Sequence, residues 1–343
     1  MTDTQTPALT PENDVILQVK DLQVEYRTDD ATIYAVNGVD LTVRCNMTVG
    51  LVGETGAGKT TTALSIMNLI PDQVGVITGG AIELEGKDVL SMDDSEMNAI
   101  RGKDVAMIFQ DPMTALNPVF TVGDQIAETL MIHEHLDKKE ALEKAGRMLE
   151  TVGIPAERAK EYPSQFSGGM KQRVVIAIGL ACNPKLLIAD EPTTALDVTI
   201  QAQVLEIMQD LKETYKMRLI MITHDLGIVA EICDEVAVMY AGRIVEYGTL
   251  EDVFEHTLHP YTEGLFNSLP NINDRRHQLT PIPGLMPDPS KLPEGCAFAP
   301  RCPYATEQCS KQGPELRHMG GTHYVACDAY NDPNFCLRRN SNG

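Results

Sequence analysis

The sequence predicts an α/β fold built on a parallel sheet, with a helical block inserted and an irregular, cysteine-rich C-terminal extension. Three observations carry this. Apolar runs of strand length alternate with helix-period stretches, the pattern of parallel strands joined by helical crossovers. One such run enters a glycine-rich turn that opens a helix. Five of the eight cysteines lie beyond Leu292.

In chain order, residues 1–14 are polar and acidic and are expected to form a disordered tail. Val15–Tyr26 and Ile33–Val43 alternate as antiparallel strands, and Thr48–Val52 is a short apolar strand running into the glycine-rich turn. Lys59–Leu69 reads as the helix that follows. Lys185–Asp190, Arg218–Thr223 and Glu235–Tyr240 are further apolar strands, separated by helices such as Ile200–Tyr215 and Leu226–Cys233. Between Phe120 and Leu180, Glu, Lys, Ala and Leu recur at helical spacing with breaks at Gly153, Pro155 and Pro163, so an inserted helical subdomain is expected over about 120–181. From Pro270 to Pro293 prolines recur without periodicity, as in a linker or irregular wrap. The expected organisation is a main domain over 15–268, a Pro-rich and Cys-rich extension over 269–335 and a tail over 336–343.

With 343 residues and 43% apolar content the chain can bury one large core and a smaller appended module. A formal charge of −21 argues against general nucleic-acid affinity, which depends on cations neutralising phosphates. No apolar run approaches the ~20 residues that cross a bilayer, and the N-terminal stretch lacks the apolar core of a signal peptide. A cytosolic protein is expected.

Gly53-Glu-Thr-Gly-Ala-Gly-Lys-Thr60 matches the phosphate-binding loop (P-loop) pattern in its required context, after a strand and at a helix N-terminus. Gly53, Gly56 and Gly58 let the loop turn its backbone N–H groups, including those of Glu54, Thr55 and Ala57, toward phosphate oxygens. Lys59 is expected to reach the β- and γ-phosphates of ATP, the Thr60 hydroxyl to coordinate Mg²⁺, and Thr61 to touch the inner phosphates. The alternative, a glycine loop that merely caps a helix, is disfavoured by the flanking strand and helix.

Lys185–Glu191 is an apolar run that delivers two acids at its C-terminal end, the edge where α/β sheets place ligands. Asp190 is expected to hold Mg²⁺ directly or through water, and Glu191 to act as general base on the attacking water. His224 ends a second such strand and is placed to contact the γ-phosphate; alone it would read as a surface or capping residue. Gln110 follows the apolar Val105–Phe109 segment, and its amide could bond Mg²⁺ or the attacking water.

Phe166-Ser-Gly-Gly-Met-Lys-Gln-Arg173 resembles the signature of ATP-binding-cassette (ABC) proteins. The resemblance implies a P-loop NTPase of the ABC cassette type, a RecA-like parallel core with an antiparallel β subdomain and a helical subdomain. It implies that Ser167, Gly168 and Gly169, with Gln172 in the same motif, open a helix facing the γ-phosphate of ATP held by a second subunit. By the same resemblance Gln110 belongs to the Q-loop that meets membrane subunits, Ala195-Leu-Asp197 to the D-loop, and His224 to the switch histidine. Tyr26 falls where the family lays an aromatic ring on adenine, although a strand tyrosine is equally often simple packing.

Three phrases, Phe109-Gln-Asp-Pro-Met-Thr-Ala-Leu-Asn-Pro118, Ala189-Asp-Glu-Pro-Thr-Thr-Ala-Leu-Asp197 and His259-Pro-Tyr-Thr262, look like the ATPase subunits of bacterial oligopeptide and dipeptide permeases. That resemblance covers roughly Ile16 to Tyr330. It implies an importer ATPase on the cytoplasmic face of the membrane, docked to two transmembrane permease subunits and paired with a second, related ATPase rather than a copy of itself. An extracytoplasmic solute-binding protein would deliver the cargo. Di- or oligopeptide is the expected cargo, with nickel or another small solute as the alternative. Two departures stand out: Arg44-Cys-Asn-Met47 replaces a usual Gly-Glu turn, where Asn46 can adopt positive φ, and Ala57 stands at a common serine.

Cys296, Cys302, Cys309 and Cys327 lack the C-x₂-C pairs of zinc ribbons. Similar segments in some peptide-permease ATPases hold a [4Fe–4S] cluster, so these four thiolates are its implied ligands, with zinc or free thiols as the alternatives. Cys336 is left unassigned. A soluble ABC factor acting on nucleic acid is the main rival function, and the negative charge and the absence of a long coiled-coil insertion weigh against it. A metabolic phosphotransferase would share the P-loop but gives no reason for Ser167–Gly169.

Overall fold

The computed structural model describes residues 14–269 and 280–338, apart from positions 46 and 195. The expectations for residues 1–13, Asn46, Ala195, 270–279 and 339–343 therefore lie outside the described residues.

The chain opens with β1 (Val15–Arg27) and β2 (Thr32–Arg44), antiparallel as expected, with Val24 opposite Val36. Their alternation turns Leu17, Val19, Leu22 and Val24 inward. β3 (Thr48–Val52), buried at every position, leads through the P-loop into α1 (Lys59–Ile66). This helix stops short of Leu69 because the backbone turns left-handed at Asn68, φ 47°. β4 (Gly75–Leu84) and β5 (Lys87–Asp88) complete a four-stranded sheet in the order β2-β1-β4-β5. The alternation in β4 is blurred by Gly79 and Gly80, and sequence analysis did not resolve this strand.

After α2 (Asp94–Ile100) and β6 (Val105–Ile108) come the inserted helices α3 (Pro112–Ala115), α4 (Val122–Glu134), α5 (Lys138–Thr151) and α6 (Gly168–Leu180). Each of the three longer ones begins on a side-chain cap: Thr121 for α4, Asp137 for α5 and Ser167 for α6. Such caps satisfy amides that a helix leaves unpaired at its start.

β7 (Leu186–Asp190), α7 (Val198–Tyr215), β8 (Arg218–Thr223), α8 (Leu226–Ile232) and β9 (Glu235–Tyr240) restore the strand–helix alternation. In the central sheet β9, β3, β8, β7 and β6 run parallel, in that spatial order. These strands are buried on both faces: Leu186 and Ile188 face a core shared with the antiparallel sheet, whereas Leu187 and Ala189 face a core shared with the helices. The C-terminal ends of β3, β7 and β8 consequently meet at one edge.

The remaining elements are β10 (Arg243–Thr249), α9 (Leu250–Glu255), α10 (Pro260–Asn267), β11 (Arg317–Gly320) and β12 (His323–Val325). Sequence analysis expected the cysteine segment to form a separate module. Instead β12 pairs antiparallel with β10, placing Tyr324 opposite Tyr247, and extends the central sheet to eight strands. Glu246, fully buried on β10, fastens this join: its carboxylate accepts from the N–H groups of Leu258 and His259 and meets Nε2 of His323 at 2.9 Å. A buried carboxylate needs such partners, and they lie far from it in sequence.

Candidate active site

Only glycine fits the tightest points of the P-loop. Gly58 has φ 100°, and a Cβ there would stand 2.4 Å from the Ala35 carbonyl oxygen. Lys59, 6% exposed, donates from Nζ to the carbonyls of Gly53 at 2.7 Å and Glu54 at 3.0 Å. Burial pushes its pKa below the ordinary lysine value, against the carboxylates of Glu191, Asp190 and Glu54. The loop opens onto a cleft of about 380 Å³. Tyr26, Thr55, Gly56, Gly58, Thr60 and Thr61 line it beside Lys59, and Gln110, Glu191 and His224 face them. The Tyr26 hydroxyl reaches Thr61 Oγ1 at 3.4 Å. Gly53 and Ala57 support the loop from behind, where Gly53 packs on the Met239 carbonyl.

Asp190 ends β7 almost fully buried, and its Oδ1 has no hydrogen-bond partner among the described residues. Burial raises its pKa, opposed by a hydrogen bond to the Thr60 side chain; Glu191 adds to the rise and Lys59 to the opposition. An orphaned anionic oxygen beside a threonine hydroxyl is a donor pair suited to a hard oxygen-seeking cation. Thr60 and Asp190 therefore fit Mg²⁺.

Glu191 follows with φ 46°, a left-handed conformation that a non-glycine residue adopts at a cost. Its N–H donates to the Ile222 carbonyl at 2.8 Å, which ties the strained turn to β8. The side chain gathers three groups. Gln110 Nε2 donates to Oε2 at 2.8 Å, Thr194 Oγ1 donates to the same oxygen at 2.9 Å, and His224 Nδ1 lies 3.2 Å from Oε1. Burial alone would raise this carboxyl's pKa, but the hydrogen bonds from Thr194 and His224, with the charges of His224 and Lys59, hold it below the usual carboxylate range. Thr194 was not singled out in the sequence, although it sits in the same phrase as Glu191.

Ser167, Gly168, Gly169, Gln172 and Asp197 do not line this cleft. Ser167 caps α6 through Oγ, accepting from the Met170 N–H at 3.4 Å, and space is open around Gly168. Gly169 packs against Ile200, and Gln172 is buried with its Nε2 unpartnered among the described residues. Asp197 caps α7 through the Ile200 N–H.

Among the described residues, no three His, Cys, Asp or Glu side chains gather as the ligands of a metal ion. Cys296, Cys302, Cys309 and Cys327 do line one cavity, walled by Pro260, Phe298 and Tyr304. Burial raises the pKa of Cys296, carries Cys302 up to about 11 and Cys327 up to about 12, with the other thiols adding to each rise. Backbone N–H groups of Phe298 and Ala299 face Cys296, that of Tyr304 faces Cys302 and that of Ala329 faces Cys327. Cys336 lies outside this lining, its Sγ 3.4 Å from the Leu337 carbonyl. One contact was invisible in the sequence: Arg301, beside Cys302, forms a two-point ion pair with Glu54 of the P-loop.

Comparison with known proteins agrees with this geometry. The ABC transporter family matches residues 36–194, and the oligopeptide/dipeptide transporter C-terminal region matches residues 245–309. The oligopeptide transport ATP-binding protein AppD of Bacillus subtilis is 50% identical over 319 residues, covering 92% of this chain and 97% of AppD. OppD of Salmonella typhimurium, named in the same way, is 48% identical, covering 92% of this chain and 93% of OppD. A solved dimeric ATP-binding cassette in a post-hydrolysis state with ADP and Pi superposes with a TM-score of 0.62 at 25% identity, covering 68% of this chain and 98% of that one. The fold and the P-loop cleft define an ABC cassette that binds and hydrolyses ATP. The chain belongs to the ABC transporter family, as an ATP-binding subunit of the oligopeptide/dipeptide permease group.

Proposed function

We propose that this chain powers the import of di- or oligopeptides, and that Glu191 is the general base of its ATPase. The observation that carries the catalytic part is the convergence of Gln110, Thr194 and His224 on the Glu191 carboxylate at the mouth of the P-loop cleft. A carboxylate held ionised there accepts a proton from water as the water oxygen bonds to the γ-phosphorus and the bond to the bridging oxygen breaks. Lys59 and the loop amides take up phosphate charge, His224 steadies Glu191 and the γ-phosphate, and Tyr26 offers its ring to adenine. Thr60, Asp190 and Gln110 would hold Mg²⁺, which neutralises charge on the phosphate oxygens.

Ser167, Gly168 and Gly169 lie outside the chain's own cleft, which supports a composite site: the start of α6, with Gln172 behind it and Asp197 nearby, would face ATP bound by a second cassette. A related partner ATPase is favoured over a second copy. Phe109, Met113, Val119 and Phe120 are exposed large apolar side chains in the segment that follows β6 and contains Gln110, which supports docking of two transmembrane permease subunits there. No described helix is long and apolar enough to cross a membrane, so attachment to the cytoplasmic face would run through those subunits, fed by an extracytoplasmic solute-binding protein. The matched C-terminal region and the names of the relatives support peptide over nickel as cargo.

For the cysteine cavity, the four thiols do not gather as a metal's ligands among the described residues, but they share one lining and three of them face backbone N–H groups, which supports the reading of a [4Fe–4S] cluster there. Its role here would be to staple the tail. The experiment that tests the import reading is reconstitution in vesicles with the permease subunits, the partner ATPase and the binding protein. ATP-dependent uptake of labelled peptide is expected; uptake of nickel and not peptide would overturn the cargo assignment.

A further inference from the structure

We infer that Arg301, in the C-terminal segment, is a positioning residue of the ATP site: it holds the P-loop through Glu54 and thereby sets nucleotide affinity. Its side chain is 7% exposed and each of its three guanidinium nitrogens has a hydrogen-bond partner. Nη1 and Nη2 donate to the two Glu54 oxygens at 3.0 and 3.1 Å, Nε donates to the Pro283 carbonyl at 2.9 Å, and Nη1 also reaches the Tyr240 hydroxyl at 3.3 Å. Such a bidentate fork fixes orientation as well as distance.

Glu54 is gripped at its other end too. Its backbone N–H donates to the Tyr261 hydroxyl at 2.9 Å. Tyr261 and Tyr240 pack on each other at 4.6 Å between ring centroids, and both pack on Phe298, which leads into the turn that carries Arg301. The Glu54 carbonyl in turn receives Lys59 Nζ, so a shift of Glu54 moves both a loop amide and the lysine that answers the phosphates. The same segment touches the site at two more points: the Met286 methyl lies against Gly56, and the Pro289 carbonyl accepts from the Tyr34 N–H at 3.0 Å while Pro289 itself lines the cleft. A loop held from outside in its binding shape loses less freedom when phosphate arrives, and affinity rises accordingly.

The inference rests on ATP as the ligand of this cleft and is independent of the cargo and of any cluster. The test compares MgATP binding by full-length Arg301→Gln, Glu54→Gln, the double variant and Arg301→Lys, with Lys59→Ala as the check on the ligand itself. Each Gln variant is expected to raise the Kd for MgATP about ten-fold, and Arg301→Gln to raise KM likewise in the assembled transporter with kcat near that of the natural chain. The double variant should be no weaker than either single one, because the two residues act as one unit, and lysine should restore part of the affinity. Two results overturn the inference: an unchanged Kd in Arg301→Gln, or losses that add in the double variant. Resistance of residues 280–338 to limited proteolysis in the double variant, where no charge is left unpaired, separates positioning from misfolding; equal loss of affinity and of protease resistance there also overturns it.

Discussion

Gln110 and Glu191, 81 positions apart, meet at 2.8 Å, the amide donating to the carboxylate. Because Thr194 and His224 hold the same side chain, a glutamine at 191 keeps its place and loses only the ability to take a proton. Glu191→Gln is therefore expected to lower kcat by about 10²–10⁴-fold with ATP binding retained. Phosphate release and nucleotide binding, measured on the assembled transporter, check this. Unchanged turnover would move catalysis to the partner's site.

Asp190 carries the orphaned oxygen, so its neutralisation should be felt through the metal and not through the nucleotide base. Asp190→Asn is expected to raise the Mg²⁺ concentration needed for half-maximal hydrolysis by about ten-fold or more. A Mg²⁺ titration at fixed ATP decides the matter, and an unshifted midpoint would remove Asp190 from the site.

The residues legible in the sequence are those whose role depends on position along a strand. Asp190, Glu191 and His224 end apolar runs, and parallel strands buried on both faces bring their C-terminal ends to one edge, so the sequence pattern already implied their meeting. Ser167 opens a helix, as the resemblance implied, whereas the caps at Thr121 and Asp137 were not singled out in the sequence. What stayed hidden depends on contacts that no local pattern encodes. Arg301 and Glu54 are 247 positions apart, and a surface-type arginine in a proline-rich stretch gives no hint of burial. The join of β12 to β10 is fastened by Glu246 and His323, neither of which sequence analysis singled out. What divides the two groups is whether a local pattern such as a strand end marks the residue, since Gln110 and Glu191 lie 81 positions apart and Glu246 and His323 lie 77.

Asp252 links α9 to the C-terminal hairpin, accepting from the Thr249 N–H at 3.1 Å and the Thr322 hydroxyl at 3.0 Å. Burial would raise its pKa, but the Thr249 and Thr322 hydrogen bonds and the nearby His323 hold it below the ordinary value of 3.8. A carboxyl depressed in the folded state contributes stability that is present above its unfolded pKa and lost as pH falls through the folded one. Asp252→Asn is thus expected to cost about 1 kcal/mol at pH 7 and progressively less below the ordinary carboxylate pKa. Urea unfolding of both proteins across that range tests it. A difference that stays constant with pH would mean that the charge contributes nothing.

The cysteine cavity poses a balance of charge. Burial and mutual repulsion keep Cys302 and Cys327 protonated at neutral pH, with pKa values near 11 and 12, so four thiolates can coexist there only if positive charge arrives with them. The proposed iron–sulfur core would supply it, and the N–H groups facing Cys296, Cys302 and Cys327 would stabilise the charged set. Chain purified without oxygen is expected to carry about four iron and four acid-labile sulfide per molecule, and Cys302→Ser much less of both. If the cluster is a staple, removing the iron should expose residues 280–338 to protease while the P-loop core remains resistant. A tail equally resistant with and without iron would overturn the staple, and zinc without sulfide would replace the cluster itself. Because Arg301 is bonded directly to Cys302 in the chain, loss of the iron should also weaken MgATP binding in the natural chain and have little further effect in Arg301→Gln.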